Sequence, residues 1–306
     1  MNEEKLDVVN YIRGLASLSV CWYHLTTCYP GASESKIIQS LGYYGQYGVH
    51  AFFVISGYVI TYFLDKNNYR ISHVITFLKR RFIRVNYPYY ASIIFIILIT
   101  MIAQMLPSYR GNLSVYEIKD ILLHFVFLTR FYGENWINPA YWTLSIEFQY
   151  YILMGLTVPL MNKKMSKMII YIILIITSLI TPFQYKQILI SAWLPLFIIG
   201  GETYMYRITK SSVTSYYTYL SVCLLIIIIN HYDYLPCIIT SVSTSQLILC
   251  YHLKYKIKIL SFMGNISYSL YLIHVPLGQK IINATTRIFG VSEICLFISA
   301  IVATVV

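Results

Sequence analysis

Residues 77–105 read FLKRRFIRVNYPYYASIIFIILITMIAQM: four cations, then a run with no charge from Val85 onward. An uncharged apolar stretch of about 20 residues is long enough to cross the hydrocarbon of a bilayer as a helix. Runs of the same kind recur outward from this one along the whole chain, Met168–Thr181 among them. Of the 306 residues, 58% are hydrophobic and 11% charged, roughly half the charge that a water-facing surface needs. That composition excludes a disordered chain, collagen, a coiled coil and a small disulfide scaffold. Because the runs are continuous rather than alternating, an outer-membrane barrel fits poorly. The sequence therefore predicts an all-α, polytopic integral membrane helical bundle. It is read as a single membrane domain over 1–306, with no additional soluble domain.

Spans are expected near residues 8–27, 48–64, 87–106, 141–160, 168–181, 188–206, 215–231, 235–251, 266–284 and 291–306. With a cytoplasmic N-terminus, the inner segments hold 16 of the 23 Lys and Arg residues. That asymmetry satisfies the positive-inside rule and predicts about ten transmembrane helices. Ile118–Phe131 is apolar enough to count as an eleventh. It is read as a re-entrant or interfacial helix, because an extra span would turn the Lys163–Lys167 loop outward.

The acidic start (Glu3, Glu4, Asp7) and Arg13 within the first apolar stretch argue for a retained span rather than a cleaved signal peptide. The apolar end at Ile301–Val306 suggests that the natural protein extends further. The net charge of +11 follows topology and does not point to nucleic acid. Six cysteines (Cys21, Cys28, Cys223, Cys237, Cys250, Cys295) form no CxxC pair and read as small buried hydrophobes, so no metal site is expected.

Charged and imidazole side chains inside spans are costly and are functional candidates. Arg13 and His24 are eleven residues apart, about 20° short of or beyond whole turns and about 16 Å along a helix, so they share one face. Taken singly, they would be a snorkelling arginine and a packed core histidine. Arg81 and Arg84, three residues apart, have a spacing suited to two phosphate groups; the alternative is a topology anchor that touches anionic membrane lipid. Glu147 lies well inside an apolar span and needs an arginine, a histidine or a substrate hydroxyl as partner. Ser267, Tyr271 and His274 recur at i, i+4 and i+7 on one face.

In chain order these stretches resemble the acyltransferase-3 family of integral membrane O-acyltransferases, in particular its bacterial surface-polysaccharide and O-antigen O-acetyltransferases. The resemblance is carried by Arg13-x10-His24, by Ala51–Tyr58 (AFFVISGY, similar to FFVLSGF), by Arg81-x-x-Arg84, by Trp142–Glu147 (WTLSIE, similar to WSLSVE) and by Ile266–His274 (ISYSLYLIH). One departure is His50, which stands where the family often has an acidic residue. A second is Thr143, which replaces a serine but keeps the hydroxyl.

The resemblance implies transfer of an acetyl group from acetyl-CoA to a hydroxyl of a surface polysaccharide or its lipid-linked precursor. The place implied is the bacterial inner (cytoplasmic) membrane. Acetyl-CoA is a substrate here, and no permanently bound cofactor is implied. His24 would be general base or acyl carrier, with Glu147 orienting or charge-stabilising its imidazolium. Arg13, Arg80, Arg81 and Arg84 would bind the donor, although Arg13 could instead stabilise an oxyanion. Trp142, Ser56, Tyr271 and His274 would touch the acceptor or hold the fold. The rival reading is a transporter or flippase of a lipid-linked saccharide, which also uses intramembrane Arg, His and Glu.

Overall fold

Backbone that leaves water must close its hydrogen bonds within its own segment, and apolar sequence does so as helix. The structure, a computed structural model, describes residues 4–27, 36–105, 117–161, 163–230, 233–250 and 256–289, with Ile298. Among the described residues there is no strand. The helices are α1 (Glu4–Thr27), α2 (Lys36–Tyr43), α3 (Gly48–Lys66), α4 (Val74–Gln104), α5 (Ile118–Phe125), α6 (Trp142–Thr157), α7 (Lys164–Ile180), α8 (Leu194–Arg207), α9 (Val213–Asn230), α10 (Tyr234–Cys250) and α11 (Lys258–Phe289). Each of the first nine expected spans falls on one of these helices. The tenth, 291–306, lies outside the described residues apart from Ile298.

Length and composition qualify fewer of these helices as spans than the sequence suggests. Among the described residues, three stretches are long and apolar enough to cross a membrane: Tyr44–Lys66, Ile71–Gln104 and Val213–Asn230. Helices α6, α7, α8 and α10 are short, at 16, 17, 14 and 17 residues. Helices α1 and α11 are long, but polar side chains such as Asn10 and Arg13 in the first and Asn265 and His274 in the second dilute their apolar character. Ile118–Phe131 does not form an eleventh span. Helix α5 has eight residues and stops where Phe127 takes φ +58°, and Gly133 turns the chain again at φ +80°. A bulky residue is rarely left-handed. Phe127 is held there by its ring stacked on Tyr89 at 5.0 Å and by Ser145 Oγ donating to its carbonyl at 3.3 Å.

Two close helix crossings frame the bundle. The most extensive packing is α1 on α11 and α3 on α8. At the first crossing, a Cβ on Gly14 would lie 2.8 Å from the Gly264 nitrogen. At the second, Gly57 and Gly200 rest on the backbones of Phe197 and Val54, with no room for a side chain. Such small-residue contacts let helices approach closely where no hydrophobic drive separates helix from lipid.

A proline in α11 ties it to α6. Pro276 has no N–H, which leaves the Leu272 carbonyl without its helical donor. Asn138 Nδ2 donates to that carbonyl at 2.7 Å, while Asn138 Oδ1 accepts from the Ala140 N–H at 3.0 Å and caps the turn entering α6. One buried amide therefore sets the register between the helix that carries Glu147 and the helix that carries Tyr271 and His274. Of the described cysteines, Cys21, Cys223 and Cys237 are buried as expected, whereas Cys250 is exposed; Cys28 and Cys295 lie outside the described residues.

Candidate active site

Helices α1, α3, α4, α6 and α11 enclose a cavity of about 480 Å³. Its polar lining comes from Asn10 and Arg13 on α1, Ser56 on α3, Arg81 and Arg84 on α4, Thr143, Glu147 and Tyr151 on α6, and Asn265, Ser267, Tyr268 and Tyr271 on α11. Three guanidinium groups thus face a single carboxylate. Arg81 is 6% exposed, and its guanidinium lies 4.4 Å from the centre of the Phe63 ring; a cation over an aromatic face is favourable but supplies no hydrogen-bond acceptor in its plane. Among the described residues, Arg13, Arg81 and Arg84 make no hydrogen bond or ion pair. Arg13 lies within coulombic reach of both Glu147 and Arg84.

Glu147 is held by hydroxyls. Ser56 Oγ donates to Oε1 at 3.1 Å, and Tyr151, one turn further along α6, donates to the same oxygen. Across the cavity, Thr143 Oγ1 and the Tyr271 hydroxyl are 2.8 Å apart. Tyr268 donates to the Val85 carbonyl at 2.7 Å and so pins α11 beside the Arg81–Arg84 turn. At the opposite side, Asn10 Nδ2 donates to Asn265 Oδ1 at 3.0 Å.

Of the residues singled out in the sequence, the cavity brings together Arg13, Arg81, Arg84, Ser56, Glu147 and Tyr271. Arg80 is exposed and does not line it. Trp142 stands behind its wall, 5.4 Å from the Trp193 ring. His24 lies beyond the cavity lining, half-buried, its ring centred 5.2 Å from that of His274. No hydrogen bond or ion pair joins His24 to Glu147. Between the two levels, the rings of Phe52 and Tyr271 meet edge to face at 5.5 Å.

Sequence reasoning missed Asn10, Asn265 and the part played by Tyr151. Tyr151 was within reach, since i+4 from an intramembrane carboxylate is a natural place for its partner. Asn10 and Asn265 pair across 255 positions, and nothing local to either of them announces that contact.

The helical bundle, whose apolar helices suit a membrane, encloses a polar cavity lined by cations and a carboxylate. The chain belongs to the acyltransferase-3 family: the family model described as "Acyltransferase domain" matches residues 6–306. It is also similar to the protein named "Putative acetyltransferase ORF330" of Acidianus two-tailed virus, at 24% identity over 92% of this chain and 86% of the relative. No solved structure matches the chain.

Proposed function

We propose that this acyltransferase moves an acetyl group from acetyl-CoA to a hydroxyl of a surface polysaccharide or its lipid-linked precursor, as a ten-span protein of a bacterial inner membrane. The observation that carries the proposal is the set of three guanidinium groups around one cavity that make no hydrogen bond or ion pair among the described residues. Buried cations are normally paired, and planar forks of this kind match phosphate oxygens. Acetyl-CoA presents three phosphate groups and a long thioester arm.

The geometry of α1 supports the same donor. Arg13 and His24 are separated by about 16 Å of helix rise. An extended pantetheine arm spans roughly 15 Å by ordinary chain geometry. With its phosphates at Arg13, Arg81 and Arg84, the donor can present its thioester beyond the Phe52–Tyr271 pair, near His24. That separation supports Arg13 in donor binding rather than at the oxyanion.

His24 then acts as general base. It takes the proton of the acceptor hydroxyl as that oxygen bonds to the thioester carbonyl carbon. The carbon–sulfur bond breaks, and the proton passes from His24 to the departing CoA sulfur. Glu147 keeps Tyr151 and Arg13 in place at the donor end.

Equilibrium binding of acetyl-CoA to the purified protein tests this reading. Arg81→Ala and Arg84→Ala should each weaken binding by about tenfold or more, the worth of a charged hydrogen bond, while insertion stays normal. Unchanged affinity in both would reduce these arginines to topology anchors. Cysteine labelling at Asn68 and Lys256 should report cytoplasm; labelling of Asn68 from outside would overturn the ten-span arrangement.

A further inference from the structure

His274 is 2% exposed. Its Nδ1 sits 2.9 Å from the Tyr271 carbonyl and 3.2 Å from that of Leu270. Carbonyl oxygens only accept, so Nδ1 carries the hydrogen, and in the neutral ring Nε2 is a bare lone pair. That Nε2 is buried and has no hydrogen-bond partner among the described residues. An acceptor left bare inside a protein is an uncommon and costly arrangement, which calls for a physical reason. Two rings lie against His274: Tyr271, whose hydroxyl is engaged with Thr143, and His24. With centroids 5.2 Å apart, the two imidazoles can join nitrogen to nitrogen. Neither nitrogen of His24 has a hydrogen-bond partner among the described residues.

We infer that His274 is the positioning residue for His24, its bare Nε2 accepting an N–H from the His24 ring. This rests on the reading of His24 as proton acceptor. In that role His24 needs one bare nitrogen toward the acceptor hydroxyl and a hydrogen on the other, and a partner that can only accept enforces that tautomer. When His24 has taken the hydroxyl proton, the same bond spreads the charge of the imidazolium. The proton then leaves for the CoA sulfur, and His274 ends as it began, with one hydrogen on Nδ1. A carboxylate fills this position in other histidine-based sites. Here Glu147 is occupied at the donor end, and a neutral ring costs less to bury than a second charge.

The test compares variants of position 274 by membrane level, acetyl-CoA KM and kcat. His274→Phe keeps the ring volume but loses the acceptor. It should lower kcat by about 10²-fold with KM for acetyl-CoA unchanged, the scale of a misaligned general base. His274→Gln puts an amide oxygen near the position of Nε2 and should recover part of that loss. His274→Asn, too short to reach His24, should not. Normal kcat in well-expressed His274→Phe would overturn the inference. If His274→Phe does not fold, equal activity of His274→Gln and His274→Asn would overturn it instead. His24→Ala, run alongside, separates the two failures. An active His24→Ala removes the base assignment itself, whereas an inactive one beside an active His274→Phe removes only the role of His274.

Discussion

Two clusters of charge lie in this apolar bundle, and they are built differently. The Glu202 carboxylate on α8 is answered at both of its oxygens. Lys167 pairs with it at 2.5 Å, Tyr171 donates to Oε1 at 2.9 Å, and Ser211 donates to Oε2 at 3.0 Å. The carboxylate is 1% exposed and lines no part of the main cavity. Around Glu147 the carboxylate is answered by hydroxyls, but among the described residues three arginines have no hydrogen-bond acceptor, and neither has His24 one level away. A satisfied charge holds helices together; an unsatisfied one in a cavity is prepared for something else. Both clusters would look alike to a count of charges in apolar sequence. Only their partners distinguish structure from site.

The contrast is sharpened most by His24. His24→Ala should lower glycan acetylation by about 10²–10⁴-fold at matched membrane levels, and His24→Gln should do no better, since an amide takes no proton at neutral pH. Folding should be affected far less than activity, because the ring of His24 meets one buried acceptor, Nε2 of His274, and pairs with no charge among the described residues.

The Glu202 cluster should answer in the opposite sense. Lys167→Met leaves a buried carboxylate without its cation, and loss of one partner of such a pair costs about 3–5 kcal/mol. Thermal unfolding in detergent should show that loss as a lowered midpoint or reduced membrane level. Glu147→Gln, by contrast, should keep most of its stability, because Ser56 and Tyr151 can still donate to an amide oxygen, and should lose activity. Equal destabilisation by the two changes would erase the distinction between the clusters.

Next in size is the form of the cations. Arg84→Lys keeps the charge but not the planar fork. It should recover only part of the acetyl-CoA affinity lost in Arg84→Ala, and full recovery would mean that charge alone matters there.

The smallest effect lies outside the spans, at His124 of α5. Its Nδ1 is 2.7 Å from the Asp120 carbonyl, and its Nε2 accepts the Ile137 N–H at 2.9 Å. Burial holds its pKa below the ordinary 6.5. A folded-state value below the unfolded one means that the released chain binds the extra proton. The stabilisation is therefore present at neutral pH and is lost as pH falls below about 6.5. Hydrogen exchange at Ile137 should speed up between pH 7.5 and pH 5 in the parent, and His124→Phe should remove that pH dependence.

The helices were legible because each is written in contiguous apolar sequence, and Arg13, Arg81, Arg84 and Glu147 were legible because charge there is costly. Span lengths were less so: apolar runs continue past helix ends, as at Ile118–Phe131, where Phe127 turns left-handed on contacts with Tyr89 and Ser145 that no local pattern encodes. The partners were least legible. Glu147 receives Ser56 from 91 positions away, and the His24–His274 contact joins the two ends of the chain. One structural consequence, the bond of Asn138 to Leu272, was implicit in Pro276, which removes a donor four residues downstream of the carbonyl it frees.

The central claim is that the arginine cavity and His24 together transfer an acetyl group from acetyl-CoA to carbohydrate. Its most direct measurement supplies acetyl-labelled acetyl-CoA to isolated membranes holding the parent or His24→Ala at equal levels, and follows label into glycan. Alkali-labile label is expected in the carbohydrate fraction with the parent and should be lost with His24→Ala. Absence of label in glycan with the parent, or equal labelling by His24→Ala, would contradict it.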